Sequence, residues 1–168
     1  MPAQWVFTEE LRMHIYMKVD KITGSVTDSK YKGWIELESF NLGVNCTSKM
    51  VTGKMSDRQF SLPEFVAPCF TKKIDQSSGA LFDCATSGKV ISQVTIAITG
   101  DKSDCLQYTL SEVMITSRNI EAFNGAGVME SGTLSYTKIS ESYTHTNSDG
   151  RSQTPFTAGY DLKEAKKL

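Results

Sequence analysis

The sequence predicts a small, mainly β protein: a compact antiparallel β-barrel with one short lateral α-helix and one long extended loop. Three observations carry that expectation. Apolar and polar residues alternate with period two over most of the chain, as they do in strands with one buried face. Helical spacing, with a cap before it and a glycine after it, occurs in the core only around residues 75–88. Residues 41–62 keep no sustained period, and loops of that length in compact domains are usually functional.

Each element follows in order. Ile15, Met17 and Val19 share one face of the first strand, with Tyr16, Lys18 and Asp20 on the other. After a polar turn at residues 28–30, Ile35 and Leu37 alternate with Trp34, Glu36 and Glu38 in a second strand that ends near Phe40. Residues 63–73 read as extended, but Pro63 and Pro68 lack ladder donors, which favours an edge or a bulge over a central strand. Asp75 or Ser77 can cap the helix, Leu81, Cys84 and Ala85 form its apolar stripe, and Gly88 stops it. Residues 90–99 and 105–115 form a hairpin turning at Gly100, Asp101 and Lys102. In its second arm the apolar parity passes from Leu106, Tyr108 and Leu110 to Val113 and Ile115, which requires a bulge near Ser111 and Glu112. That strand runs to about Ile120. Residues 121–130 then read as a flexible loop, and residues 132–143 as one strand with Leu134, Tyr136 and Lys138 on one face, followed by a polar tail.

Composition narrows the function. The 168 residues suffice for one domain with its own core, burying roughly two-thirds of the surface of the unfolded chain. Eighteen basic and nineteen acidic side chains leave a net charge of −1, without the basic footprint of a nucleic-acid binder. No apolar run approaches the ~20 residues of a spanning helix, and Glu9 and Glu10 stand where the apolar core of a signal peptide would be. Cys46, Cys69, Cys84 and Cys105 form no C-x-x-C pair, and His14 and His145 have no ligand-spaced neighbours, so no metal or thiol centre is expected. Gly125-Ala126-Gly127 lacks the third glycine and the following helix of a phosphate-binding loop. Glu36 and Glu38 share one strand face, which reads as solvated sheet surface rather than acid/base machinery. No catalytic constellation and no cofactor site emerge. A β-rich module with one oversized loop remains, either an assembling protein or a monomeric small β-barrel ligand-binding module; the large inward residues favour a filled core over a ligand cavity.

Several linked segments resemble the haemolysin-coregulated protein (Hcp) family of the type VI secretion system. They are residues 15–20 with 24–28 (Gly-Ser-Val-Thr-Asp), Trp34-Ile35-Glu36-Leu37 leading to Phe40-Asn41-Leu42-Gly43, residues 70–78, Tyr136-Thr137-Lys138-Ile139, and the terminal Gly159-Tyr160-Asp161-Leu162. The resemblance covers about residues 13–162. It implies a non-enzymatic inner-tube subunit that forms homohexameric rings, stacks them inside a sheath, works with spike and baseplate proteins, carries effectors in the lumen, and binds no nucleic acid and enters no membrane. Export without a signal peptide, after assembly in the cytoplasm, follows from the same resemblance. Within it, the loop at residues 41–62 is expected to contact an adjacent subunit or ring, with Val44, Met50, Val51, Met55 and Phe60 as apolar groups and Lys49, Lys54, Asp57 and Arg58 as a charged rim. Gln93, Thr95, Gln107 and Thr109 are expected on a polar strand face that lines the lumen, although parity alone does not distinguish a lumen from bulk water.

Residues 1–12 depart from the family pattern, which normally begins near the methionine that here is Met13. The domain is therefore expected at 13–168, with 1–12 a non-native or disordered leader. Glu9-Glu10 can be encoded by GAGGAG, and two further codons separate it from Met13, the arrangement of a ribosome-binding site ahead of a start codon. Trp5, Val6 and Phe7 weigh against this reading, because they could pack on the barrel.

Overall fold

A computed structural model describes residues 13–49, 59–100, 105–147, 149–153 and 155–168. In chain order the elements are β1 (His14–Val19), β2 (Ile35–Leu37), β3 (Ser39–Asn45), β4 (Ser48–Lys49), β5 (Gln59–Phe60), β6 (Glu64–Lys73), α1 (Ser78–Ser87), β7 (Ile91–Thr99), β8 (Cys105–Phe123), β9 (Gly127–Ser135), β10 (Lys138–Thr144), β11 (Phe156–Asp161) and β12 (Lys166–Lys167). All ladders are antiparallel.

The 19-residue β8 joins two layers. Its first half pairs with β7 and β10 in a layer ordered β12-β11-β10-β8-β7-β1-β2, and its second half pairs with β9, which continues through β6 to β3. The layers meet again where β2 runs into β3 through Glu38, whose N–H donates to the Thr71 carbonyl at 2.8 Å. The ladder does not close into a complete hydrogen-bonded barrel: β3 and β11 each keep a neighbour on one side only along part of their length, and a seam separates them. Between the layers lies one core, with Met17, Ile35, Leu81, Val94, Ile96, Leu110, Val113 and Leu134 nearly or fully buried. Burying such side chains contributes about 1.5–3 kcal/mol each, which makes this cluster the main source of stability.

The expected helix and the hairpin of residues 90–115 are present. Leu81 and Cys84 face the core, and Gly88 ends the helix in the left-handed region at φ 63. Ser77 occupies the N-cap position without a side-chain cap; Asp75 serves instead, its carboxylate accepting from the Ser77 backbone N–H and hydroxyl. The parity change in β8 falls where the sequence places it: Leu110 and Val113 are both buried, and Glu112 between them sits at φ 51.

Four expectations are corrected in part or in whole. The segment at residues 63–73 has the expected edge and bulge at its prolines, since residues 64–68 of β6 have β3 alone as a neighbour and the β3 register shifts beside Pro68, but residues 69–71 are central, paired with both β3 and β9. The stretch from residue 41 is not loop throughout, since β3 extends to Asn45. The loop expected at residues 121–130 shrinks to a turn, where Gly125 and Gly127 take φ 81 and 97 and the Ala126 N–H bonds the Phe123 carbonyl. Residues 132–143 divide into β9 and β10 at Tyr136 and Thr137, so Leu134 is buried while Lys138 is exposed. The polar tail also adds β11 and β12 to the larger layer.

Candidate functional site

Gln93, Thr95, Gln107 and Thr109 come together on the outer face of the larger layer. The registers place Lys18, Thr95, Thr109, Ser140 and Gly159 in one row across five strands, and Tyr16, Ala97, Gln107, Ser142 and Thr157 in the next. The first row carries Lys18, the second continues from Tyr16 to Glu36 on β2, and the Gln93–Ser111 row continues to Lys138 and Asp161. Hydroxyls and amides fill most of the positions between these charges, and Tyr16, Thr95 and Ala97 are buried. The four residues differ in exposure: Gln93 is exposed, Gln107 and Thr109 are half-buried, and Thr95 is buried. Thr95 Oγ1 accepts from the Gln93 amide at 3.2 Å.

The segment between β1 and β2 folds over one end of this face. Tyr31 stacks on Tyr16 with ring centroids 4.6 Å apart and receives the edge of Trp34 at 5.1 Å, and Val26 and Cys105 pack around them. Burial first, then the neighbouring Cys105, pushes the Tyr31 phenol up to about 12, so it stays neutral at physiological pH. At the border of this cover is a depression of about 450 Å³, lined by Lys18, Asp20, Trp34, Ser92, Gln93, Thr95 and Gln107.

The segment expected to reach away from the barrel contains a separate ribbon. Among the described residues β4 and β5 pair with each other alone, Lys49 opposite Gln59 and Ser48 opposite Phe60, and join neither layer. Thr47 and Ser61 close its base, the Ser61 N–H donating to the Thr47 carbonyl and the Thr47 N–H to the Ser61 hydroxyl, both at 3.0 Å. Val44, at the end of β3, is 54% exposed. Met50, Val51, Lys54, Met55, Asp57 and Arg58 lie outside the described residues.

A groove of about 310 Å³ follows the seam between β3 and β11, with Leu42, Val44, Phe65 and Tyr160 among its apolar walls and Glu141 at its polar side. Burial, then the Glu141 carboxylate, pushes the Tyr108 phenol there up to about 12. Among the described residues, no group of three metal-ligating side chains gathers anywhere, and no helix is long and apolar enough to cross a membrane.

Residues 16–143 match the family model described as type VI secretion system effector, Hcp. The chain belongs to the Hcp family. Hcp1 from Salmonella typhimurium is 25% identical, with 93% of this chain and 99% of that one covered at a TM-score of 0.76. Hcp2 from the same organism is 25% identical, covering 89% and 96% at 0.69. A type six secretion system protein of 24% identity, covering 94% and 100% at 0.85, supports the shared fold. A comparison with curated proteins gives no match. Hcp proteins are tube and effector proteins of the type VI system rather than an enzyme family.

One buried ionic cluster of this Hcp chain escaped sequence reasoning. Lys72 on β6 is fully buried, and its ammonium donates to the Lys73 carbonyl, Asp75 Oδ1, Ser78 Oγ and Glu130 Oε2 at 2.9–3.0 Å. Glu130, also buried, accepts in addition from Ser78 and from Arg118. Burial alone would raise the Glu130 pKa; the bonds from Ser78, Lys72 and Arg118 outweigh it and hold the carboxyl below its ordinary range. The cluster thereby ties the start of α1 to β6, β8 and β9. The signal available in the sequence is the Lys72/Asp75 spacing just ahead of the helix; Glu130 falls in the stretch whose glycines read as loop.

Proposed function

We propose that the chain is the inner-tube subunit of a type VI secretion system. Six copies form a ring, rings stack within the sheath, the outer face of the larger layer lines the lumen and holds effectors, and the β4–β5 ribbon reaches toward an adjacent subunit or ring. Spike and baseplate proteins are its further partners. It is made in the cytoplasm and exported with the tube, without a signal peptide and without catalysis of its own. The observation that supports this most is the match of residues 16–143 to the Hcp family model, on a chain whose outer strand face presents the hydroxyls and amides of Thr95, Gln107, Thr109, Ser140, Ser142 and Thr157. A ring also gives the strand edges at the seam a neighbour to meet, and heterologous contacts close into rings when the rotation permits.

Sedimentation with negative-stain imaging of the purified protein tests the reading: six-membered rings are expected. A monomer at micromolar concentration would instead favour a β-barrel that binds a small apolar ligand in the seam groove, the second reading that this groove supports.

A further inference from the structure

We propose that residues 23–34, between β1 and β2, form a strap that opens as one unit while the rest of the fold stays intact, and that its latch is the start of α1. Opening uncovers Tyr16, Thr95, Ala97 and Cys105 on the outer face of the larger layer.

The strap is fastened to the main core only at its two ends, where Ile22 packs against that core and Ile35 is fully buried in it. No residue between those two belongs to the core. Val26, Tyr31 and Trp34 instead join a separate small cluster with Tyr16, Ala97 and Cys105. The backbone divides in the same way. Gly24 N–H donates to the Gly33 carbonyl, Gly33 N–H to Val26, Val26 N–H to Trp34 and Trp34 N–H to Tyr31, at 2.8–3.1 Å, and among the described residues the strap has no ladder to either layer. A segment whose hydrogen bonds are internal, and whose apolar contacts are few and stand apart from the core, leaves at a lower free energy than the whole domain unfolds.

Two side chains at the start of α1 hold the strap down. Gln76 Nε2 donates to the Gly24 carbonyl at 2.5 Å, and the Ser25 hydroxyl donates to Asp75 Oδ2 at 3.3 Å. The other oxygen of Asp75 accepts from Lys72, so the latch shares a carboxylate with the buried ionic cluster and joins the strap to the helix. Lys18 lies 6.0 Å from the Trp34 ring, at the outer limit of a cation–π contact, and adds little. The closed position also requires glycine at 24. A Cβ there would overlap the Trp34 carbonyl and stand 2.7 Å from Ile35 Cα, both backbone groups that no rotamer change moves aside.

Thiol labelling reads the two units separately, since Cys105 packs against the strap and Cys84 lies in the main core. Cys46→Ser with Cys69→Ser removes the two exposed thiols. In that background, without denaturant, iodoacetamide should modify Cys105 at least tenfold faster than Cys84, as read by peptide mass mapping; the rate follows the open population when reclosing outpaces modification. Gln76→Ala should speed Cys105 about fivefold, the effect of one hydrogen bond, and Gly24→Ala tenfold or more, with the Cys84 rate and circular dichroism unchanged. The proposal is overturned if the two thiols react at one rate, if the variants speed both thiols equally, or if Cys105 reacts at a rate indifferent to both variants, which would mean that its thiol is reached with the strap closed.

Discussion

Lys72 and Glu130 lie 58 positions apart in sequence, and their charged groups meet at 3.0 Å with neither side chain more than 1% exposed. Two ions taken out of water on different strands gain little net stability from each other, but removing one leaves its partner desolvated and underpaired, which costs about 3–5 kcal/mol. Lys72→Met should therefore destabilise the subunit by about that amount. Urea denaturation would show it as a lower midpoint with an unchanged slope. A variant within 1 kcal/mol of the parent would mean that Arg118 and Ser78 alone satisfy Glu130.

The same cluster sets a pH dependence. Glu130 and Asp75 both titrate below their ordinary values of 4.5 and 3.8, because hydrogen bonds to the charged forms outweigh burial. The unfolded chain binds protons first as pH falls, so their contribution is complete above about 4.5 and is lost progressively below it, as each folded carboxyl titrates. Thermal melts between pH 7 and pH 3 should be flat at first and then fall steeply, and Glu130→Gln should flatten the acid limb. A parent protein whose stability declines mainly between pH 7 and pH 5 would contradict this assignment.

Gly132 is set by space rather than by backbone angle. A Cβ there would lie 2.7 Å from Phe70 Cζ and 3.2 Å from the Ser117 carbonyl oxygen, and Phe70, directly opposite in the ladder, is 2% exposed, so the ring would have to shift within a close-packed core. Gly132→Ala should cost about 1–3 kcal/mol. Phe70→Leu in the same chain should recover part of that loss, since a smaller side chain vacates the site. Additive losses in the double variant, measured by denaturant midpoints, would show that the two positions do not compete for volume.

What could be read from the sequence and what could not divide along a physical line. Strands buried on one face announced themselves, as in β1, where Met17 and Val19 alternate with Tyr16 and Lys18; so did a helix bounded by Asp75 and Gly88. The outward set Gln93, Thr95, Gln107 and Thr109 followed from the same parity and meets on one face. Sequence reasoning failed where a tertiary partner overrode local chemistry. Pro68 marks an edge and a bulge as its missing donor implies, but residues 69–71 of the same strand are central because β9, about sixty positions along the chain, pairs with them. Glycines 125 and 127 looked like a mobile loop but form the tight turn of a long hairpin. The Lys72 cluster was illegible because its partners come from four separate elements, and no periodicity encodes that. The seam was likewise hidden, since strand order is not written in hydrophobic alternation.

Residues 50–58, outside the described residues, connect the two strands of the β4–β5 ribbon. Among the described residues the ribbon has no ladder to either layer. The composition of residues 50–58 includes Met50, Val51 and Met55 beside Lys54, Asp57 and Arg58, the mixture of apolar centre and charged rim found at protein contacts. A loop that served only its own subunit would need fewer apolar groups. Met50→Asp combined with Val51→Asp should leave each subunit folded, because the described residues already supply a full core between the two layers. It should weaken subunit or ring contact at least tenfold, because each unpaired carboxylate buried at an interface costs several kcal/mol. Circular dichroism should stay unchanged while sedimentation shifts toward smaller species, and secretion from the native bacterium should fall. Normal assembly and secretion by the double variant would show that this segment takes no part in assembly, and the contact would then have to be sought at the exposed edges of β3 and β11.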